Sequence, residues 1–191
     1  MRVLISWLQD FVDVKVEANE LADMLSMRGF ELAAIESPPN HPGNEKKTGG
    51  DDAVLDLEIT ANRPDCLSVI GIAREVATAY NLPFKEIDKA SADAISTFKL
   101  ATKESPELTI ELEDQNLCPR YAAAVVTSTK TTSPDWMTYR LLSSGIRPIN
   151  PIVDITNYVL IELGHPIHAF DLDRLIDCKL RIRLSEEGES I

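Results

Sequence analysis

Residues 145–171, GIRPINPIVDITNYVLIELGHPIHAFD, combine a helical apolar pattern with polar groups that interrupt it. Asn150 can cap a helix, Pro151 fits the first helical turn, and Gly164 can end the helix. The pattern therefore predicts a helix over residues 150–163. The apolar side chains that recur at helical spacing are Ile152, Ile155, Val159 and Leu163.

Polar side chains lie between these apolar positions: Asp154, Thr156 and Asn157, with His168 in the turn that follows. Thr and Asn are middling to poor helix formers, so intrinsic propensity gives no reason for them here. One interpretation is a functional site where carboxylate, hydroxyl, amide and imidazole groups converge. The other is structural: Thr156 and Asn157 bond to carbonyls of the preceding turn, and His168 is a hydrogen-bonded loop residue.

Length and composition set broad limits on fold and partners. The chain has 191 residues, 44% of them apolar, which suits one domain or two small ones. A net charge of -12 argues against broad electrostatic capture of phosphates, so any contact with nucleic acid must be local or shared with a partner.

The three cysteines are widely spaced and form no CxxC pair, which indicates buried thiols in a reducing compartment. The apolar run at 3–5 is too short for a signal peptide or membrane span, so a soluble cytoplasmic protein is expected.

Two changes in composition divide the chain. Residues 37–52, SPPNHPGNEKKTGGDD, contain no apolar side chain and predict a flexible surface loop. Residues 86–105 show little periodicity and are interpreted as a connection between domain 1–85 and domain 106–191. The predicted class is α+β: a small N-terminal domain of helices and strands, then the first part of a mixed α/β domain. Strands are expected at 30–35, 53–59, 108–112, 121–127 and 180–184.

The turn TANRPDCLS, residues 60–68, joins a predicted strand to a predicted helix. Asp65 is expected to cap that helix. A polar cluster surrounds the turn, and Arg63 is expected to bridge its carboxylates and fix the corner. Its members are Asp56, Glu58, Asn62, Arg63 and Asp65.

Two segments together resemble one protein family: DLEITANRPDCLSVIGIARE at 56–75, and RPINPIVDITNYVLIELGHPIHAFDLDRL at 147–175. Both are similar to the beta subunit of bacterial phenylalanyl-tRNA synthetase. The opening ISWLQDFVDVKVEANELADMLSMRGFELAAIE, together with CPRYAAAVV and SPDWMTYRLLSSGIRPIN, extends the resemblance to nearly the whole chain except 37–52 and 86–105.

The resemblance implies a part of a class II aminoacyl-tRNA synthetase, a phenylalanine–tRNA ligase that forms a heterotetramer with an alpha subunit. It implies tRNA as a partner, with no DNA and no membrane. ATP and Mg²⁺ are implied for the complete enzyme, whereas this part is expected to bind no cofactor and to be inactive alone.

The resembling family also hydrolyses mischarged tyrosyl-tRNA at an editing site. Matching its motif implies Arg147 as a substrate-binding residue that holds the tRNA terminus by charge-assisted bonds. Thr156 and Asn157 would position the ester or its attacking water, and His168 would orient that water or the ribose hydroxyl.

Two departures from the family affect these expectations. The family commonly carries an OB-like tRNA-binding domain where the polar loop 37–52 stands here. It also continues beyond position 191, so the acidic residue that recognises the tyrosine hydroxyl would lie outside this sequence and the pocket would be incomplete.

Three other functions compete with this interpretation. A non-catalytic module that packs on a partner would have no need of Thr156, Asn157 or His168. A freestanding aminoacyl-tRNA deacylase of the same lineage would need a substitute for the missing acidic residue. A metal enzyme is disfavoured and no metal site is predicted, because His41, His165 and His168 lack the spacing of zinc ligands.

Overall fold

The computed structural model describes residues 1–40, 42, 52–85, 107–127 and 131–190. Contacts divide the chain into two compact units, the first made of 1–91 and 130–169, the second of 92–129 and 170–191. Both units contain strands together with helical segments, which confirms the α+β class in its broad sense. Within the described ranges, no helix is long and apolar enough to cross a bilayer.

The first unit contains a three-stranded antiparallel sheet in the order β1-β3-β2. Its strands are β1 (Arg2–Leu4), β2 (Glu31–Glu36) and β3 (Val54–Glu58). Leu55 and Leu57 of the central strand are fully buried, whereas Glu58 is exposed. The alternating pattern of the sequence therefore placed the strand correctly.

Five helices of the described part belong to this unit, and their apolar faces form one core with the sheet. They are α1 (Ile5–Leu8), α2 (Ala18–Met27), α3 (Val69–Tyr80), α4 (Asp135–Ser143) and α5 (Pro151–Leu163). The largest fully buried side chains include Trp7, Phe30 and Leu4. The helix predicted at 150–163 is confirmed as α5.

The grouping by contacts differs from the division expected from composition. Helices α4 and α5 lie in the first unit, although the sequence placed them in a domain that begins at 106. The physical reason is apolar contact: Tyr139 of α4 is part of the core, and Tyr158 and Ile161 of α5 pack against it. The predicted connection at 86–105 lies outside the described residues, as does most of the predicted loop at 37–52.

The second unit contains a pair of parallel strands, β4 (Thr109–Leu112) and β5 (Lys179–Ile182). Lys179 pairs with Glu111 at 2.5 Å, and Arg181 pairs with Glu113. The strand expected at 121–127 is wrong: these residues adopt neither helix nor strand, and most are exposed. Within the described residues, this apolar segment pairs with no strand.

The turn before α3 is a 3-10 helix at Pro64–Cys66. The predicted cap at Asp65 is wrong, because Ser68 caps α3 by accepting a bond from the Gly71 N–H at 3.2 Å. Gly71 passes very close to the turn: a Cβ built there would lie 1.9 Å from the Asp65 carbonyl oxygen. Only a glycine fits this approach without moving backbone atoms.

Arg63 bridges carboxylates at this corner, as predicted. Its guanidinium bonds Asp65 at 2.8 Å and Glu75 of α3 at 2.7 Å, and it lies over the Phe30 ring. The hydrogen bond from Arg63 is the main cause that lowers the pKa of Asp65 to about 2. The second carboxylate belongs to Glu75, and not to Asp56 or Glu58, with which Arg63 was expected to cluster.

Cys66 should react slowly with alkylating reagents in the native protein. The side chain is fully buried, and burial, more than its hydrogen bond with Asp65, raises the pKa of the thiol to about 12. Iodoacetamide at pH 8 should therefore modify the exposed Cys178 first and reach Cys66 only after unfolding. Peptide mass spectrometry measures both sites, and equal labelling of the two in the native chain would contradict the burial of Cys66.

Candidate functional site

Helix α5 is fixed at both ends by the residues that the sequence singled out. The Asn150 side chain accepts bonds from the N–H groups of Ile152 and Val153, at 3.1 and 3.0 Å. Gly164 ends the helix in the left-handed conformation, with φ +72°. A Cβ at Gly164 would lie 3.3 Å from the Cβ of Ser68, so the end of α5 meets the start of α3.

The inner face of α5 packs on aromatic rings. Tyr158 stacks on Trp7 with ring centroids 4.8 Å apart and meets the edge of Trp136 at 5.3 Å. One turn later, Glu162 accepts bonds from the Trp7 indole at 2.8 Å and from the Tyr158 hydroxyl at 2.5 Å. Burial raises the pKa of Tyr158, so the phenol keeps the proton that it donates.

Arg140 of α4 joins this face to the first residues of the chain. Its guanidinium donates to the Tyr158 hydroxyl at 2.8 Å and to Asp10 at 2.5 Å. It also lies over the rings of Trp7 and Trp136, 5.2 and 5.8 Å from their centroids. A desolvated cation between rings and carboxylates makes strong contacts, so α5 has a well-defined position in the first unit.

Asp154 lies on the same inner face, in the first turn of α5, and is only 1% exposed. One carboxylate oxygen accepts from the Ile149 N–H at 2.8 Å and the other from the Ser133 hydroxyl at 2.5 Å. The sequence singles out Asp154 among the polar residues of the site but indicates no role for it. No spacing marks it as buried, because the apolar residues at helical spacing were Ile152, Ile155, Val159 and Leu163, and Ile152, Ile155 and Leu163 are exposed in the structure.

The four predicted site residues have different surroundings. Arg147 is exposed in the segment before α5, and His168 is exposed after it. Thr156 and Asn157 are half-buried; Thr156 donates to the Val153 carbonyl at 2.7 Å, as the structural interpretation expected. Within the described residues, the side chains of Arg147, Asn157 and His168 have no hydrogen bond or ion pair. For Asn157 and His168 this differs from the structural interpretation, which had both bonded.

Of these four residues, Thr156 and Asn157 are neighbours because they are consecutive on α5, and their side chains point about 100° apart. Arg147 and His168 flank opposite ends of this 13-residue helix, which spans about 20 Å. In the described part of the chain, no hydrogen bond or ion pair joins any two of the four side chains.

The chemistry of the set suits a polar, anionic substrate. An exposed guanidinium can bind a phosphate with two bonds, an amide can donate to a carbonyl, and an imidazole can donate or accept a hydrogen bond. None of the four side chains is a thiol, and the Thr156 hydroxyl already donates to the backbone. These side chains can therefore bind or position polar groups of a substrate or a water molecule.

Another group of side chains has the composition of a metal site. Ligand atoms of Asp65, Cys66 and Glu75 lie within 4.8 Å of one another. Arg63 bonds both carboxylates, at 2.8 and 2.7 Å, and Arg28 also bonds Glu75 at 3.1 Å. Metal binding needs free carboxylate oxygens, so this group is better explained as a structural ion-pair network.

Comparisons with known proteins give consistent relatives. Residues 117–191 match the B3/4 domain family. The whole chain is 38% identical over 195 residues to the phenylalanine–tRNA ligase beta subunit of Rhodopirellula baltica, and covers 26% of that protein. The beta subunit of the same ligase from Clostridium acetobutylicum is 44% identical over 88% of the chain, which covers 21% of that protein. The beta subunit from Oceanobacillus iheyensis is 48% identical over 73% of the chain, which covers 17% of it. The chain thus spans about a quarter, or less, of the length of these relatives.

Proposed function

Because the chain belongs to the family of phenylalanine–tRNA ligase beta subunits, we propose that it serves as the N-terminal part of that subunit. In this role it acts with an alpha subunit in charging tRNA with phenylalanine, and the complete enzyme uses ATP and Mg²⁺. The observation that carries the proposal is the match of 100% of the chain at 38% identity.

The finer proposal is that α5 and its flanking segments contribute to a site that hydrolyses tyrosyl-tRNA. A pocket for phenylalanine rejects an analogue with one added hydroxyl poorly, since binding alone gives roughly a hundredfold discrimination. A ligase for phenylalanine therefore benefits from a second, hydrolytic site. The support in this chain is the exposed Arg147 and, on and after a firmly packed helix, the side chains of Asn157 and His168, which have no hydrogen bond among the described residues.

Each residue has a role that fits its surroundings. Arg147 holds a phosphate near the tRNA terminus, and the Asn157 amide binds the ester carbonyl or the attacking water. The Thr156 oxygen, whose proton is directed to Val153, retains lone pairs that can accept a bond from that water. His168 orients the water or the ribose hydroxyl.

Substrate selectivity tests this function in a ligase assembled with a beta subunit that contains this sequence. Such an enzyme should hydrolyse tyrosyl-tRNA on the order of 10⁴-fold faster than correctly charged phenylalanyl-tRNA, because a site that hydrogen-bonds a substrate hydroxyl rejects the analogue that lacks it. Release of labelled amino acid measures both rates, and Asn157→Ala provides the comparison because it removes one positioned amide. Equal rates for the two substrates, or an unchanged rate in Asn157→Ala, would contradict the editing role.

The isolated 191-residue chain should bind tRNA weakly. Its net charge of -12 repels phosphates, and the proposed contact through Arg147 is local. Filter binding should show no saturation at micromolar chain at physiological salt, with some binding recovered at low salt. Submicromolar affinity at physiological salt would instead favour a freestanding deacylase.

A further inference from the structure

The segment that carries Arg147 is held on both sides by hydrogen bonds that its backbone N–H groups donate. On one side, the Ile146 N–H donates to the Leu141 carbonyl of α4 at 2.9 Å. On the other, the Ile149 N–H donates to the carboxylate of Asp154 at 2.8 Å. Pro148 lies between Arg147 and Ile149 and fixes its own φ, so few backbone torsions around Arg147 are free.

The second of these bonds depends on one buried side chain. Asp154 is 1% exposed, and its other oxygen accepts from Ser133, which precedes α4. Asp154 thereby joins three parts of the first unit: α5, the segment that carries Arg147, and the start of α4. Arg147 itself is exposed and has no ion pair among the described residues, so nothing in the described part besides its backbone fixes where the guanidinium can reach.

The geometry points to Asp154 as a positioning residue: it fixes the backbone of residues 147–149 against α5, so that Arg147 presents its guanidinium to a tRNA phosphate beside Thr156 and Asn157. This inference rests on the proposed hydrolysis of tyrosyl-tRNA. Asp154 touches no substrate in this account. It acts through the Ile149 N–H, and its effect should therefore appear in substrate binding through Arg147.

The test is a double-mutant cycle in the assembled ligase with tyrosyl-tRNA as substrate. Asp154→Ala should raise KM about tenfold, the equivalent of one lost hydrogen bond to a charged group, while kcat changes less than twofold. In the Arg147→Ala background the same substitution should leave KM unchanged, because the residue that it positions is gone. Asp154→Asn should recover most of the loss, since its carbonyl oxygen still accepts from Ile149.

Each result has a separate meaning. A wild-type enzyme that fails to hydrolyse tyrosyl-tRNA overturns the proposed function itself. If hydrolysis is normal but Arg147→Ala leaves KM unchanged, or if Asp154→Ala raises KM equally in both backgrounds, the positioning role is wrong and Asp154 is only structural. Should Asp154→Ala fail to fold, Ser133→Ala can replace it, because it removes one of the two bonds to the carboxylate. Ser133→Ala should raise KM twofold or more when Arg147 is present and leave KM unchanged in the Arg147→Ala background. An equal effect in both backgrounds, or no effect in either, would overturn the inference.

Discussion

Gly71→Ala should lower the free energy of unfolding of the chain by about 2 kcal/mol or more, although alanine is the better helix former. Gly71 lies in the first turn of α3, where a Cβ would be 1.9 Å from the Asp65 carbonyl oxygen and 2.8 Å from its carbonyl carbon. These are backbone atoms of a turn that Arg63 fixes to Glu75, so they have little freedom to move away. Urea unfolding followed by circular dichroism measures the effect.

Gly29→Ala provides the matched control for this substitution. Gly29 has φ +92°, and a Cβ there would meet nothing within 4 Å, so the change adds backbone strain without a clash. Its cost should be about 1 kcal/mol. Without the close approach, Gly71→Ala would stabilise the helix by up to about 1 kcal/mol, so a gain in stability would contradict the packing of α3 against the turn.

Local patterns predicted the elements that carry the site. Asn150, Pro151 and Gly164 define α5 because capping and chain termination depend on neighbouring residues only. That Arg63 bridges carboxylates was also predictable from the local sequence. Its partner Glu75 was not, because it lies twelve residues away and contacts Arg63 only where the turn packs against α3. The cap was assigned to Asp65 instead of Ser68 because the 3-10 turn between them has no distinct sequence signal.

Long-range packing could not be predicted in the same way. No local pattern indicates that α4 and α5 share a core with residues near the start of the chain, because that core depends on contacts such as Trp7 with Tyr158. For the same reason, the sequence revealed the polarity of Asp154 but not that it bonds Ile149 and Ser133. The roles of Arg147, Thr156, Asn157 and His168 stay predictions, since the structure locates the residues and not their substrate.

His168→Ala should slow the hydrolysis of tyrosyl-tRNA by the assembled ligase by about a hundredfold, the lower range for a positioned acid–base group. His168 is exposed and has no hydrogen-bond partner among the described residues, so its removal should change the free energy of unfolding by less than about 0.5 kcal/mol. Phenylalanine activation should be unchanged, because the proposed function assigns His168 to the hydrolytic site only. His165→Ala is the matched control: the same residue type, also exposed, three positions earlier in the same turn.

Whether residues around α5 form a hydrolytic site is tested most directly by the rate of tyrosyl-tRNA hydrolysis in His168→Ala and His165→Ala, with melting measured on both proteins. Slow hydrolysis is expected for His168→Ala only, and both variants should melt like the wild type. Normal hydrolysis by His168→Ala would contradict the site, and so would a loss of activity that is equal in the two variants.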